Sequence, residues 1–236
     1  MDLANTYMSY GQRHSVVSIC ATGKRYEKAN LYPGNKIIKT GDRISLTVGY
    51  KGGLTSRAGY AVKESQELPE KERSYLDSVA KPYFAACAVW LEQIHIGMEG
   101  QELYDLAEKV LPKSNYHWTL NPGHLTSDEE WLSSPIYPTS RDLLKSGMLI
   151  QLDIIPSVSG YSGANCESGI ALADEKLKQE IMAGYPQLWS RLEARKNYIK
   201  SVLNIRLNED VLPLSCLTGY YSPFFLDKEK TLVISR

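Results

Sequence analysis

Apolar residues recur along this chain in two periods, every second position in short stretches and every third or fourth in longer ones, which predicts strands and helices together. Residues 16–20 (VVSIC) are β-branched and bounded by polar positions, as a strand is. Residues 44–50 (ISLTVGY) alternate, Lys51-Gly52-Gly53 turns the chain and residues 54–62 return, which predicts a hairpin. Between residues 67 and 92, Tyr75, Val79, Tyr83 and Ala86 share one helical face, with Pro82 expected to bend the rod. A second helix over residues 101–110 gathers Leu103, Leu106, Ala107 and Val110 on one side and stops before Pro112. Residues 115–137 follow no period and hold His117, Trp118, His124 and Trp131; long irregular segments of compact domains tend to carry function. A strongly apolar strand at 147–156 (GMLIQLDIIP) comes next and returns over 166–173. A helical stretch over 175–203, interrupted at Pro186, leads to an expected closing edge strand at 231–235 (TLVIS).

Two of these units resemble each other. Thr40-Gly41 opens one apolar strand and Ser146-Gly147 opens another, each strand runs into a glycine-rich turn and a returning strand, and helices lie between. That is the outline of a duplicated helix-plus-hairpin unit. If the hairpins face each other across a two-fold axis, Thr47 and Asp153 take equivalent inward positions.

Composition narrows the partners. Lys and Arg number 27 against 27 Asp and Glu, so no global field draws the chain to nucleic acid or to an anionic membrane, and a small molecule or peptide is the expected partner. No run of about 18 apolar residues marks a membrane span, and the first residues lack a basic start with an apolar core. Cys20, Cys87, Cys166 and Cys216 lie far apart, without the close pairs of a zinc ribbon or redox motif, and read as reduced, mostly buried thiols of a cytoplasmic protein.

Asp153 is the conspicuous chemical feature. Its neighbours in LIQLDIIP are apolar on both sides, so it is not a solvated surface charge and needs a partner. Glu167 on the returning strand and His124 in the irregular segment are candidates, although a loop histidine can equally serve by bonding backbone. His117 beside Trp118 reads as packing that could touch substrate, His14 and His95 as incidental, and Asp128-Glu129-Glu130 as a solvated acidic turn.

Several landmarks in order resemble the pita-bread family that contains aminopeptidase P, prolidase, methionine aminopeptidase and creatinase. They are Asn121-Pro122-Gly123-His124, Glu130-Trp131-Leu132-Ser133-Ser134-Pro135-Ile136, Gly147-Met148 with Asp153 six residues after the glycine, and Glu167. Gly41-Asp42 with Gly52-Gly53 is similar to that family's first hairpin, and Leu212-Pro213-Leu214-Ser215 with Pro223-Phe224 suits its C-terminal strands. The resemblance implies an α+β fold: one domain over residues 1–236, with two-fold-related helix and hairpin units around a curved antiparallel sheet. The family's opening helices would be lacking. It also implies hydrolysis of a C–N bond, either a peptide bond beside proline or a guanidino carbon–nitrogen bond.

The departures bear on mechanism. The family's first-hairpin aspartates, which chelate two metal ions, fall on Thr47 and Arg57, and between Arg43 and Lys63 there is no Asp or Glu. The family histidine before that hairpin falls near Asn30, a second one falls on Trp131, and Asp153 stands where a glutamate is usual. No cofactor is therefore expected, although His124, Asp153 and Glu167 could still hold a single Mn, Co or Zn ion. The expected site has His124 as general base or acid, Asp153 or Glu167 orienting it, and Arg57 paired with a carboxylate or meeting substrate charge. Trp131, Thr47 and His117 line the substrate. A silent peptide- or partner-binding module is the alternative, and a homodimer is compatible with either.

Overall fold

The structure is a computed structural model that describes residues 11–50, 53–127 and 130–236. Its centre is a curled antiparallel sheet of seven strands: β1 (Ile19–Thr22), β2 (Arg43–Tyr50), β3 (Gly53–Tyr60), β4 (His124–Leu125), β5 (Leu149–Leu152), β6 (Asn165–Leu172) and β7 (Val211–Pro213). Spatial order runs β1-β2-β3-β6-β5-β4, with β7 pairing β6. Read from either end, the order is edge strand, hairpin, hairpin, edge strand, so a pseudo-two-fold axis passes between β3 and β6.

The two glycines that open the hairpins show the duplication at atomic level. Gly41 and Gly147 both sit at φ 88°, a left-handed conformation that only glycine adopts without strain. Gly41 N–H donates to Ala61 O (3.0 Å) and Ala61 N–H returns to Asp42 O (2.8 Å). In the second half Gly147 N–H donates to Leu172 O (2.8 Å) and Leu172 N–H returns to Met148 O (3.0 Å). Each sharp turn thus starts its strand at the same register, and the halves can be aligned residue by residue.

The helices are α1 (Lys24–Glu27), α2 (Lys81–Gln93), α3 (Gly100–Val110), α4 (Lys113–Tyr116), α5 (Glu175–Gly184) and α6 (Pro186–Ser201). Tyr83, Cys87, Trp90 and Leu91 of α2 pack with Ile150 and Leu152 of β5 and with Cys166, Ile170 and Leu172 of β6 in one buried core. Side chains alternate along a strand. Gln151, Asp153 and Glu167 therefore project from the face opposite that core. Glu72, held by Arg43 (3.2 Å) and by the Tyr60 hydroxyl (2.6 Å), pins the entry to α2 against the first hairpin.

Several expectations change. The stretch expected as one rod from residue 67 opens with two short 3-10 turns, and the helix proper starts as a π-helical turn (Leu76–Ala80) that continues unbroken into α2; Pro82, which has no N–H to give to the preceding turn, lies just after that widened turn. The apolar strand at 147–156 pairs only over Leu149–Leu152. Residues 231–235 do not join the sheet: Leu232 N–H bonds Tyr221 O and Ile234 N–H bonds Leu203 O, an extended tail on loops rather than an edge strand. Only Cys87 and Cys166 are buried; Cys20 is partly exposed and Cys216 is exposed. Among the described residues no helix is long and apolar enough to cross a membrane.

Candidate functional site

One row of side chains crosses the sheet on the face away from α2. Counting six residues on from each opening glycine gives Thr47 and Asp153; counting five back from Ala61 and Leu172 gives Ser56 and Glu167. Thr47 is the register partner of Ser56, and Ser56 is the partner of Glu167 across the two-fold seam. Asp153 lies one residue beyond the Leu152–Ser168 pair, beside Glu167. The row is Thr47, Ser56, Glu167, Asp153, and all four are buried.

Its two halves differ in chemistry. The Thr47 and Ser56 hydroxyl oxygens are 2.6 Å apart in a hydrogen bond. In the equivalent place on the other half, the Glu167 and Asp153 carboxyls stand side by side, close enough for each to shift the other's titration. Burial, and then the charge of Asp153, pushes Glu167 well above the ordinary carboxylate range, against a hydrogen bond from Asn165. Burial also raises Asp153, against the opposing pull of His124. Burial beside each other therefore disfavours two charges on this pair, and Glu167, the more strongly raised of the two, is the one that favours its protonated form.

His124 comes to the row from β4. Its Nδ1 is 2.8 Å from Leu125 O, and because a carbonyl only accepts, Nδ1 carries the hydrogen. That fixes the ring with Nε2 toward Asp153, 3.7 Å from Oδ2. The distance is too long for a hydrogen bond, and both Nε2 and Asp153 Oδ1 are buried without a hydrogen-bond partner. A cleft of about 380 Å³ opens there, lined by Leu120, Gly123, His124, Trp131, Ser134 and Asp153 with Asn121.

Glu130 corrects the reading of an acidic surface turn. It is 4% exposed, accepts from the Thr126 hydroxyl at 2.7 Å, and stands 3.8 Å from His124 Nδ1. Asp128 and Glu129 lie outside the described residues. Its burial is not visible in the DEE run itself, because it depends on Thr126 just after β4, on His124 of β4 and, at 3.4 Å, on the distant Ser15. The histidine thus sits between two buried carboxyls.

Arg57 is a second correction. Its side chain lies on the helix-covered face, as the register partner of Cys166, and donates to the backbone carbonyls of Ser56 (2.6 Å), Glu167 (2.7 Å) and Leu217 (2.7 Å). Among the described residues it pairs with no carboxylate, and it does not face the cleft. The residue facing the acids across the two-fold is Ser56, one position earlier. His117, at φ 51° after α4, is exposed and does not line this cleft, and the Thr47 hydroxyl is engaged by Ser56. Trp131 does line it. His14 and His95 bond locally, to Ser18 and to Gln93 O.

Two hairpins related by a two-fold axis, each aiming one pair of side chains into a common cleft on a curled sheet, are the pita-bread fold, and this chain has it. Solved structures similar to it include proteins named dipeptidase, prolidase and X-Pro aminopeptidase. A Xaa-Pro dipeptidase from Bacillus anthracis matches with TM-score 0.56 and 21% identity over 71% of this chain and 46% of its own. A prolidase from Pyrococcus furiosus matches with TM-score 0.52 and 22% identity over 68% and 47% respectively. A dipeptidase from Mycobacterium ulcerans does so with 0.55 and 16% over 73% and 46%. The chain spans less than half the length of each. No family model and no curated protein sequence matches it.

Proposed function

We propose that this chain is a C–N bond hydrolase that works without the paired metal ions its resemblance implies, on a small peptide or guanidino compound. The observation that carries the reading is the Thr47–Ser56 hydroxyl pair, 2.6 Å apart, in the place two-fold-related to the Asp153–Glu167 carboxyls. Two divalent cations held a few Å apart need carboxylates on both sides to offset and bridge their charge. Neutral hydroxyls bonded to each other supply none, and burial holds Glu167 toward its protonated form. Among the described residues, no three His, Cys, Asp or Glu side chains gather closely enough to hold an ion together. The donor set does not fit that centre.

What remains suits proton transfer. His124 Nε2 and Asp153 Oδ1 are both buried and unpartnered while their residues line the cleft, so a water admitted there by a small side-chain movement would find an acceptor in each. Nε2 accepts the water proton as oxygen attacks the carbon, and returns it to the nitrogen as the C–N bond breaks. Glu130, behind the ring, stabilises the imidazolium formed between those steps.

A second reading, a peptide- or partner-binding module without turnover, is favoured by Arg57 turning away. Among the described residues no Lys or Arg then meets an oxyanion in the cleft. The two are separated by assaying Xaa-Pro dipeptides and guanidino acids in the presence of a chelator. Turnover that survives chelation and is lost in His124→Ala is the expected result. Turnover that appears only after stoichiometric Mn, Co or Zn is added overturns the metal-independent reading, and silence on both substrate classes favours the binding module.

A further inference from the structure

We infer that the groove between α6 and the loop after β7 binds a small monocarboxylate with an apolar body, and that the Arg195 guanidinium reads the carboxylate. The inference does not depend on the proposed function, because this groove lies on the helix-covered side of the sheet, away from the cleft.

The bonds of the loop fix its place. Leu217 O accepts from Arg57, whose side chain is on the helix-covered face. A few residues earlier, Pro213 O and Leu214 O accept from Arg195 of α6, at 3.2 and 2.9 Å. Between helix and loop a groove of about 310 Å³ is left open, at the small end of the roughly 300 to 1,000 Å³ that ligand pockets occupy. Ala194, Tyr198 and Ile199 give it an apolar wall, and Ser215 and Cys216 line it from the loop.

The guanidinium decides the ligand. Both carbonyl bonds leave from Nη1, which spends its hydrogens on them. Among the described residues Nε and Nη2 make no hydrogen bond and meet no carboxylate, and neither atom is sealed from solvent. The unspent edge is a pair of parallel N–H groups, the fork that fits the two oxygens of a carboxylate and bonds it more strongly than a neutral group. The Ser215 hydroxyl accepts from Leu217 N–H at 3.1 Å and keeps its own hydrogen to give.

Charge points the same way. No Asp or Glu lines the groove. The one acid of α6, Glu193, stands 3.8 Å from Lys196. Arg191, one turn before Arg195, is exposed and makes no ion pair among the described residues. The local field is therefore positive although the chain as a whole is neutral, and it disfavours an ammonium. An alcohol would leave one N–H of the fork to water.

Calorimetric titration of the intact chain compares 4-phenylbutyrate with 4-phenylbutanol and 4-phenylbutylammonium, and Cys216 reports where they bind. The carboxylate is expected to bind at least about tenfold more tightly than the alcohol, with the ammonium not binding. It should also slow alkylation of Cys216 by iodoacetamide, followed by peptide mass spectrometry, while Cys20 reacts at its unliganded rate. Arg195→Met should bring the carboxylate down to the affinity of the alcohol. Because that change also frees two loop carbonyls, Ala194→Phe is the second variant: from an exposed position on α6 it fills the groove and should abolish both binding and protection. Alcohol or ammonium binding as tightly as the carboxylate, carboxylate binding that leaves Cys216 unprotected, unchanged affinity in a folded Ala194→Phe protein, or no binding of any of the three overturns the inference. Turnover is not read, so this outcome and that of the hydrolase assay are separate.

Discussion

Ser56 and Arg57 are adjacent, and the function of the first hairpin turns on which of them faces the cleft. In GLTSRAGY polar residues fall on both faces, so alternation alone does not choose, and a slip of one position moves every side chain to the other side. The register with Cys166 and Glu167 places Arg57 against the helices and Ser56 in the row. Restoring acids to that row is a direct test of the equivalence. In the double variant Thr47→Asp, Ser56→Asp, four clustered carboxyls are expected to destabilise the free protein and to create an affinity for Mn or Co. Scanning calorimetry should show a lower Tm than the parent without metal and a rise of several degrees with it, while the parent stays unmoved. Asp153 was legible at this scale, since an acid inside LIQLDIIP can only be buried and partnered. Glu130 was not, because DEE has the look of a solvated turn and its burial depends on Thr126, His124 and Ser15.

At the scale of elements, the hairpins and main helices could be read from their periods, and the opening glycines gave the duplication. The π-helical turn before α2 and the unpaired tail at 231–235 could not, since both depend on contacts outside their own segments. The approach of α3 to the cleft-bearing segment belongs here too. A Cβ on Gly100 would lie 1.7 Å from the carbonyl oxygen of Pro135, backbone that cannot rotate aside. Pro135 O also accepts from the Ser140 hydroxyl at 2.6 Å, and Ser134, one residue before, lines the cleft. Gly100→Ala is expected to cost roughly 2 kcal/mol by forcing this segment outward, read as a lower urea midpoint with an unchanged m-value.

For the whole molecule, the raised titration of Glu167 makes stability depend on pH. Glu167 titrates in the folded state well above its unfolded value, so between the two the folded protein binds more protons than the unfolded chain. Its contribution is complete at acidic pH, falls as pH rises through that interval by up to about 1.4 kcal/mol per pH unit, and is gone above the folded pKa. Glu167→Gln should flatten this decline, and urea midpoints collected from pH 5 to 9 in parent and variant give the comparison. A slope that persists undiminished in the variant would assign the proton elsewhere.

The symmetric frame has a consequence for tolerance to change. If every residue of both hairpins were randomised and the library sorted for folding and ligand capture, the two halves should answer unequally. Thr47 and Ser56 should accept Val, Ala or Cys together, because their bond only has to fill space quietly. Asp153 and Glu167 should accept almost nothing. One arm of the duplication would then be free to drift while its twin is held fixed.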